Sequence, residues 1–123
     1  MNKSITIFLE WPNPGLSPNS RKHYREKAKL VSVARQMAHL LTSQYDIPPC
    51  FSPDAPLETR LTFFPPDKRK RDIDNLLASM KSSLDGIFDA LKMNDNRVRR
   101  TVLEWGKAAQ PGRVEIEIKE ITA

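Results

Sequence analysis

Apolar and polar residues alternate over residues 4–10, with Ile5, Ile7 and Leu9 on one side, and this period of two predicts a strand. Trp11-Pro12-Asn13-Pro14-Gly15 ends it, because proline cannot donate to a ladder. Residues 20–45 contain no glycine or proline. Within them Leu30, Val31, Ala34, Met37, Ala38, Leu41 and Tyr45 recur mostly at three- and four-residue steps, which predicts a long amphipathic helix capped by Asn19 or Ser20. Residues 46–56, with Pro48, Pro49, Pro53 and Pro56, read as a loop. Alternation returns at Leu57, Thr59, Leu61 and Phe63, a second strand that Pro65-Pro66 stops. Leu76, Leu77, Met80, Leu84, Ile87, Phe88 and Leu91 mark one face of a helix over residues 75–92, which Gly86 weakens locally without ending. Asn94-Asp95-Asn96 reads as a turn. Residues 101–105 and 113–119 form a closing hairpin around 106–112, with Val114, Ile116 and Ile118 inward and Glu115, Glu117 and Lys119 towards water. The order βαβαββ predicts an α+β fold: a single domain over residues 1–123, with one mixed sheet and two helices packed on it. No internal repeat is visible.

Composition narrows the class. A chain of 123 residues fits one domain of ordinary size, and an apolar fraction of 39% marks it as globular. Ten prolines against four glycines favour stiff connections. The net charge of +5 and pI near 9.6 point to an anionic partner, nucleic acid first, although charge of this size also serves solubility. A single cysteine, Cys50, excludes an intrachain disulfide and a Cys-rich zinc site, and its Pro-flanked loop suggests an inert thiol. The N-terminal segment is too short and soon too polar for a secretory signal, and no run approaches a membrane span. The expectation is a soluble, cytoplasmic protein with no membrane partner.

The candidate chemistry lies in Asp67-Lys-Arg-Lys-Arg-Asp72-Ile-Asp74-Asn75. Lys68, Arg69, Lys70 and Arg71 run directly into two carboxylates spaced i, i+2. Cations hold a phosphate backbone by charge. Clustered carboxylates hold hard Mg²⁺ ions, which polarise a phosphodiester and activate a water for in-line attack. If the chain is extended there, Asp72 and Asp74 point to the same side and can reach one ion. Each piece also has a plainer reading. The two aspartates could simply cap the next helix, although a cap needs only one oxygen. Asp95 could be an Asx-turn residue, and the basic run a solvated loop. Arg21, Lys22, His23, Arg25, Lys27 and Lys29 form a second basic group at the start of the first helix, suited to phosphate contact or to a solvated face. His39 reads as structural. Trp11, Trp105 and Phe88 fit a core or interface better than a base-stacking platform.

These residues carry a resemblance. The stretch from Asp67 to Leu76, then Leu84-Asp-Gly-Ile-Phe-Asp-Ala-Leu91 and Asn94-Asp95, resembles the signature of RusA-type Holliday junction resolvases, small endonucleases of bacteria and their phages. Pro14-Gly-Leu-Ser-Pro-Asn-Ser-Arg-Lys-His-Tyr24 is similar to that family's opening loop, and Val114-Glu-Ile-Glu-Ile118 to its last strand, so the likeness spans nearly the whole chain. It implies a homodimer that binds four-way junction DNA and nicks two strands symmetrically, in DNA recombination and repair. It also implies Mg²⁺ held by three aspartates, which by position are Asp72, Asp74 and Asp95. The family's lysine after the acidic pair has no match one turn past Asp74, where Ala78 stands. Lys81, two turns on, is the nearest lysine and takes that role. The DNA-binding set is Lys68, Arg69, Lys70, Arg71, Arg21, Lys22, His23 and Arg25, and the setting a bacterial cell or its prophage.

A continuous helix over residues 75–91 would be ~25 Å long at ~1.5 Å per residue, which would carry Asp95 far from Asp72 and Asp74 of its own chain. Either the helix bends near Gly86, or a partner chain supplies Asp95; the second arrangement is the one expected. Two other functional classes compete: a non-catalytic module that binds branched DNA, its aspartates serving only as caps, and a small metal-dependent ribonuclease with the same chemistry on another substrate.

Overall fold

The computed structural model describes residues 4–44 and 51–121. Tyr45, Cys50 and the prolines at 48 and 49 lie outside them. The described chain forms two compact units, one of residues 4–11, 51–68 and 94–121, the other of residues 12–44 and 69–93.

The first unit is a four-stranded sheet of β1 (Ser4–Glu10), β2 (Leu57–Phe64), β3 (Val98–Trp105) and β4 (Arg113–Glu120), in the order β1-β4-β2-β3. β4 runs antiparallel to both β1 and β2, while β3 runs parallel to β2, so the sheet is mixed as its pattern predicts. The alternation along each strand sorts the side chains onto two faces. Ile7, Ile116 and Leu61 lie in register across β1, β4 and β2, and the row above holds Leu9, Val114 and Phe63. All six are buried. Each such side chain contributes about 1.5–3 kcal/mol by leaving water.

The expected hairpin of the last two strands is not formed. β3 and β4 are both neighbours of β2 and not of each other. Residues 106–112 lack a two-residue turn signal and are instead bonded to the segment that leaves β2. Gly106 N donates to Phe63 O at 2.8 Å, Ala109 N to Pro65 O at 2.8 Å, and Gln110 Nε2 to Pro66 O at 2.5 Å. A Cβ at Gly106 would overlap the Phe64 ring, so glycine is required by this close approach.

The other face of the sheet holds a buried carboxylate. Glu58 on β2 lies opposite Arg100 of β3 and Lys119 of β4 and is only 1% exposed. Arg100 Nε donates to Glu58 Oε1 at 2.5 Å. Lys119 Nζ lies 3.3 Å from Oε2, an ion pair without the alignment of a hydrogen bond. Arg60 Nε stands 3.8 Å from the same oxygen, and Arg60 also pairs with Glu104. The Arg100 hydrogen bond, chiefly, with help from Lys119, holds the Glu58 carboxyl below its ordinary value of 4.5 against the opposing effect of burial.

The second unit contains α1 (Tyr24–Ser43), α2 (Ile73–Ser79) and α3 (Lys81–Leu91). α1 begins later than the sequence suggests, and neither Asn19 nor Ser20 caps it. The cap is His23, whose Nδ1 accepts from Arg25 N at 3.2 Å, while Ser20 Oγ accepts from Lys22 N in a separate turn. The second predicted helix is two helices, broken at Met80 (φ −94°, ψ 0°) and not near Gly86. Ser79 Oγ bonds back to Asn75 O at 2.9 Å, a contact that competes with the helical ladder just before the break. This break removes the length argument that placed Asp95 on a partner chain. Gly86 instead permits a close helix approach. A Cβ there would overlap the carbonyl oxygen of Arg35, so α1 and α3 meet backbone to backbone at this point. Buried Ala38, Thr42, Ser82 and Ser83 keep the helices slim, and Arg35 Nη2 pairs with Asp89 Oδ2 at 2.5 Å across them. Among the described residues no helix is long and apolar enough to cross a membrane.

Two substitutions test this account. Gly86→Ala raises intrinsic helix propensity, yet it should destabilise by about 1–3 kcal/mol through overpacking, read as a lower urea midpoint. Glu58→Gln should cost about 1–3 kcal/mol at neutral pH by leaving its cations without their carboxylate. Because the folded carboxyl titrates below 4.5, its contribution is present above that value and lost as pH falls through the lower folded value. The gap between wild type and variant in urea unfolding should therefore shrink on acidification. An unchanged gap would remove Glu58 from the acid response.

Candidate active site and nucleic-acid interface

In the second unit, the chain arrives at Asp72 in an extended conformation (φ −87°, ψ 125°), and α2 starts at Ile73. Asp72 therefore holds the N-cap position, and its backbone carbonyl accepts from Leu76 N at 3.2 Å. Its side chain makes no capping hydrogen bond. Asp74 lies in the first helical turn, and both carboxylates are exposed. The purely structural explanation of this pair needs an oxygen bonded to the first backbone N–H groups, and Asp72 does not provide one. The same-side argument from an extended chain holds only for Asp72, because Asp74 is already helical.

Lys81 opens α3, so the break at Met80 places it on a different helix from Asp74. Its Nζ donates to Asp85 Oδ1 at 3.1 Å, one turn along α3. Asp85 had no assigned role from sequence, although its i, i+4 spacing from Lys81 is a legible signal.

The cations are distributed along loops and helix starts. Lys68, Arg69 and Lys70 are exposed, and Arg71 Nη1 folds back onto Arg69 O at 3.1 Å. Arg21 and Lys22 precede α1 and do not belong to its first turn. Lys22 pairs weakly with Glu26 at 4.0 Å. Arg25 lies over the Tyr24 ring, 5.8 Å from its centroid. His23 stacks on the same ring at 4.4 Å and uses Nδ1 as the helix cap, a structural duty that the expectation of a phosphate contact did not foresee. His39 lies exposed along α1, its Nδ1 3.4 Å from Ser43 Oγ one turn on.

Asp95 belongs to the first unit, at the start of a 3₁₀ turn, Asp95–Arg97. The turn's side-chain bond comes from its neighbour: Asn94 Oδ1 accepts from Asn96 N at 3.0 Å. The Asx role that could have explained Asp95 is thus filled by Asn94. An open cleft of about 420 Å³ adjoins this turn, lined by Pro53, Asp54, Ala55, Pro56, Asn94, Asn96, Arg97 and Arg99. Sequence reasoning named none of its basic residues.

Among the described residues no group of three or more carboxylate, imidazole or thiol side chains stands ready to hold a metal. The donors nonetheless suit magnesium. Mg²⁺ takes hard oxygen ligands, retains several waters and needs only one or two carboxylates beside the substrate's phosphates. Asp72 and Asp74, bracketing one helix start and not consumed by capping, meet that requirement.

An α+β chain that presents carboxylates beside a run of cations has the make-up of a protein acting on polyanionic backbones. Comparison with known proteins agrees. The family described as endodeoxyribonuclease RusA matches residues 11–119. A protein of Xylella fastidiosa strain Temecula1, itself described as uncharacterized, is 34% identical over 118 residues, covering 95% of this chain and 77% of that one. The chain belongs to the RusA endodeoxyribonuclease family.

Proposed function

We propose that this family member is a magnesium-dependent endonuclease that resolves four-way DNA junctions by paired symmetric nicks, in the recombination and repair of a bacterial or prophage genome. The observation that carries this reading is the bare carboxylate at the α2 N-cap: Asp72 makes no capping bond, Asp74 follows in the first turn, and Lys68 to Arg71 lead directly into them. A binding module whose aspartates served as caps would be expected to use Asp72 as one.

On this reading Asp72 and Asp74 would hold the ion, and Asp95 joins them as a ligand by the family's pattern alone. A bound Mg²⁺ would supply Lewis-acid polarisation of the phosphodiester and a lowered pKa for the attacking water. The chain's own residues supply the rest. Lys68, Arg69, Lys70 and Arg71, with Arg21, Lys22 and Arg25, draw the backbone in by charge and set its register. The Lys81 ammonium, oriented by Asp85, offsets charge that builds on the phosphate oxygens during attack. A homodimer is supported by the outer face of α1, where Val33, Met37 and Leu40 stand 59%, 51% and 53% exposed at helical spacing. A two-fold assembly matches the two-fold symmetry of paired nicks.

Purified protein given a synthetic four-way junction and a matched linear duplex should nick only the junction, symmetrically, with Mg²⁺ and not with EDTA. Asp72→Asn should reduce cutting by at least about a thousandfold, the scale set by losing metal-borne charge stabilisation, while junction affinity stays level or rises. Loss of binding together with cutting would count against the catalytic role. Replacing Lys68, Arg69 and Lys70 with alanine should do the opposite, weakening binding and reducing the slope of log affinity against log salt by about two to three.

A further inference from the structure

The pairing of β2 with β3 contains an irregularity that ordinary alternation does not explain. Leu57 pairs with Val98, and Glu58 pairs with Arg100, so Arg99 is the extra residue of a bulge. A bulge leaves its extra residue out of the ladder and re-aims the side chain, and bulges gather beside active sites. The two adjacent arginines thus have different fates. Arg100 is committed to Glu58 on the sheet face. Arg99 lines the cleft beside the Asp95 turn, where its Nη1 donates to a neutral acceptor, Asn96 O, at 2.7 Å.

The rest of the cleft is braced. Arg97 donates through Nε and Nη2 to Ala55 O at 3.3 and 3.0 Å, and through Nη2 to Ser52 O at 2.5 Å. Ala55 N closes onto Ser52 O at 3.2 Å, and Ile121 N holds Pro56 O at 3.0 Å. Pro53 and Pro56 give the wall its apolar, preformed surface. Asn94 and Asn96 also line the cleft, the first with its amide oxygen used in the turn and its NH₂ group still a donor. The Arg97 and Arg99 guanidiniums, two amides and two prolines around 420 Å³, against the single carboxylate of Asp54, make a site for a ligand that is anionic at one end and flat or apolar at the other.

We infer that this cleft is a DNA subsite. It receives one nucleotide of the strand being cut, next to the scissile phosphate, with Arg99 on its phosphate and the amides of Asn94 and Asn96 against its sugar or base edge. The inference rests on the junction-nuclease reading, because it takes its ligand from that substrate. The bulge is what makes the assignment specific. In an unbroken ladder Arg99 would alternate with Arg100 across the sheet, whereas here it is released from the sheet pattern at the edge that carries Asp95. Guanidinium fits this role, since its planar fork binds phosphate through two parallel N–H groups.

The test uses full-length protein carrying Asp72→Asn, so that binding to a synthetic four-way junction is read without cutting. Adding Arg99→Ala should weaken binding about tenfold and lower the salt slope by about one, and Arg99→Lys should restore part of the loss. Arg99 is exposed, so the melting temperature should be unchanged. Phosphate-ethylation interference supplies the second measurement. Ethylating one phosphate adjoining the nick site should weaken binding by the Asp72→Asn protein and have no further effect once Arg99 is alanine. Equal affinity, salt slope and interference with and without Arg99 would overturn the subsite while leaving the nuclease reading intact. Failure of the Asp72→Asn protein to bind a junction at all would instead overturn that reading and the subsite with it.

Discussion

The parallel pairing of β2 with β3 is the constraint on which the chain's organisation depends. Two antiparallel strands can be joined by a tight turn, but a parallel pair needs a crossover that carries the chain back to its starting end. Here the crossover is the span from Pro65 to Arg97, and it holds α2 and α3. Its first part delivers the basic run and the Asp72–Asp74 pair. Its last part is the turn that carries Asp95, immediately before β3. The acidic residues of the family's pattern therefore bracket one connection, a consequence of strand direction. β4 reinforces the arrangement by occupying the other side of β2, which leaves β3 at the sheet's edge.

The electrostatics of the sheet follow from the same centrality. A strand paired on both sides has little access to water, so a carboxylate on it must be met from both neighbours. Glu58 is met by Arg100 from one strand and Lys119 from the other. That use of cations separates structural basic residues from those available to an anionic partner, a distinction that net charge alone does not make. Arg60, Arg100 and Lys119 serve the fold, whereas Lys68, Lys70 and Arg99 face outward from loops, turns and a bulge.

Much of this was legible in the sequence because burial imposes period. The alternation of Ile5, Ile7 and Leu9 located β1, and Leu57 to Phe63 located β2 to within one residue. Strand partners were not legible: two strands joined by seven residues suggest a hairpin, and only the tertiary bonds of residues 106–112 to Pro65 and Pro66 show otherwise. The break at Met80 was hidden for a similar reason. No glycine or proline marks it, and the apolar face runs on through it, while Gly86, which reads as a weak point, is kept for the close approach of α1. The carboxylate pair stood out by spacing and its role by resemblance. That Asp72 leaves its cap unmade, that Asn94 and not Asp95 ties the late turn, and that Arg99 is set apart from Arg100 are facts of backbone geometry with no local signature.

The bulge has a consequence for how this sheet can vary through time. Residues inside the ladder are bound by alternation, so a change of character at one of them exposes the core or buries a charge. Arg99 is exempt, because it has no partner across the ladder. Position 99 can drift in size and chemistry without disturbing the pairs on either side, and the fold thereby keeps its foundations and its capacity to acquire new preferences in separate places.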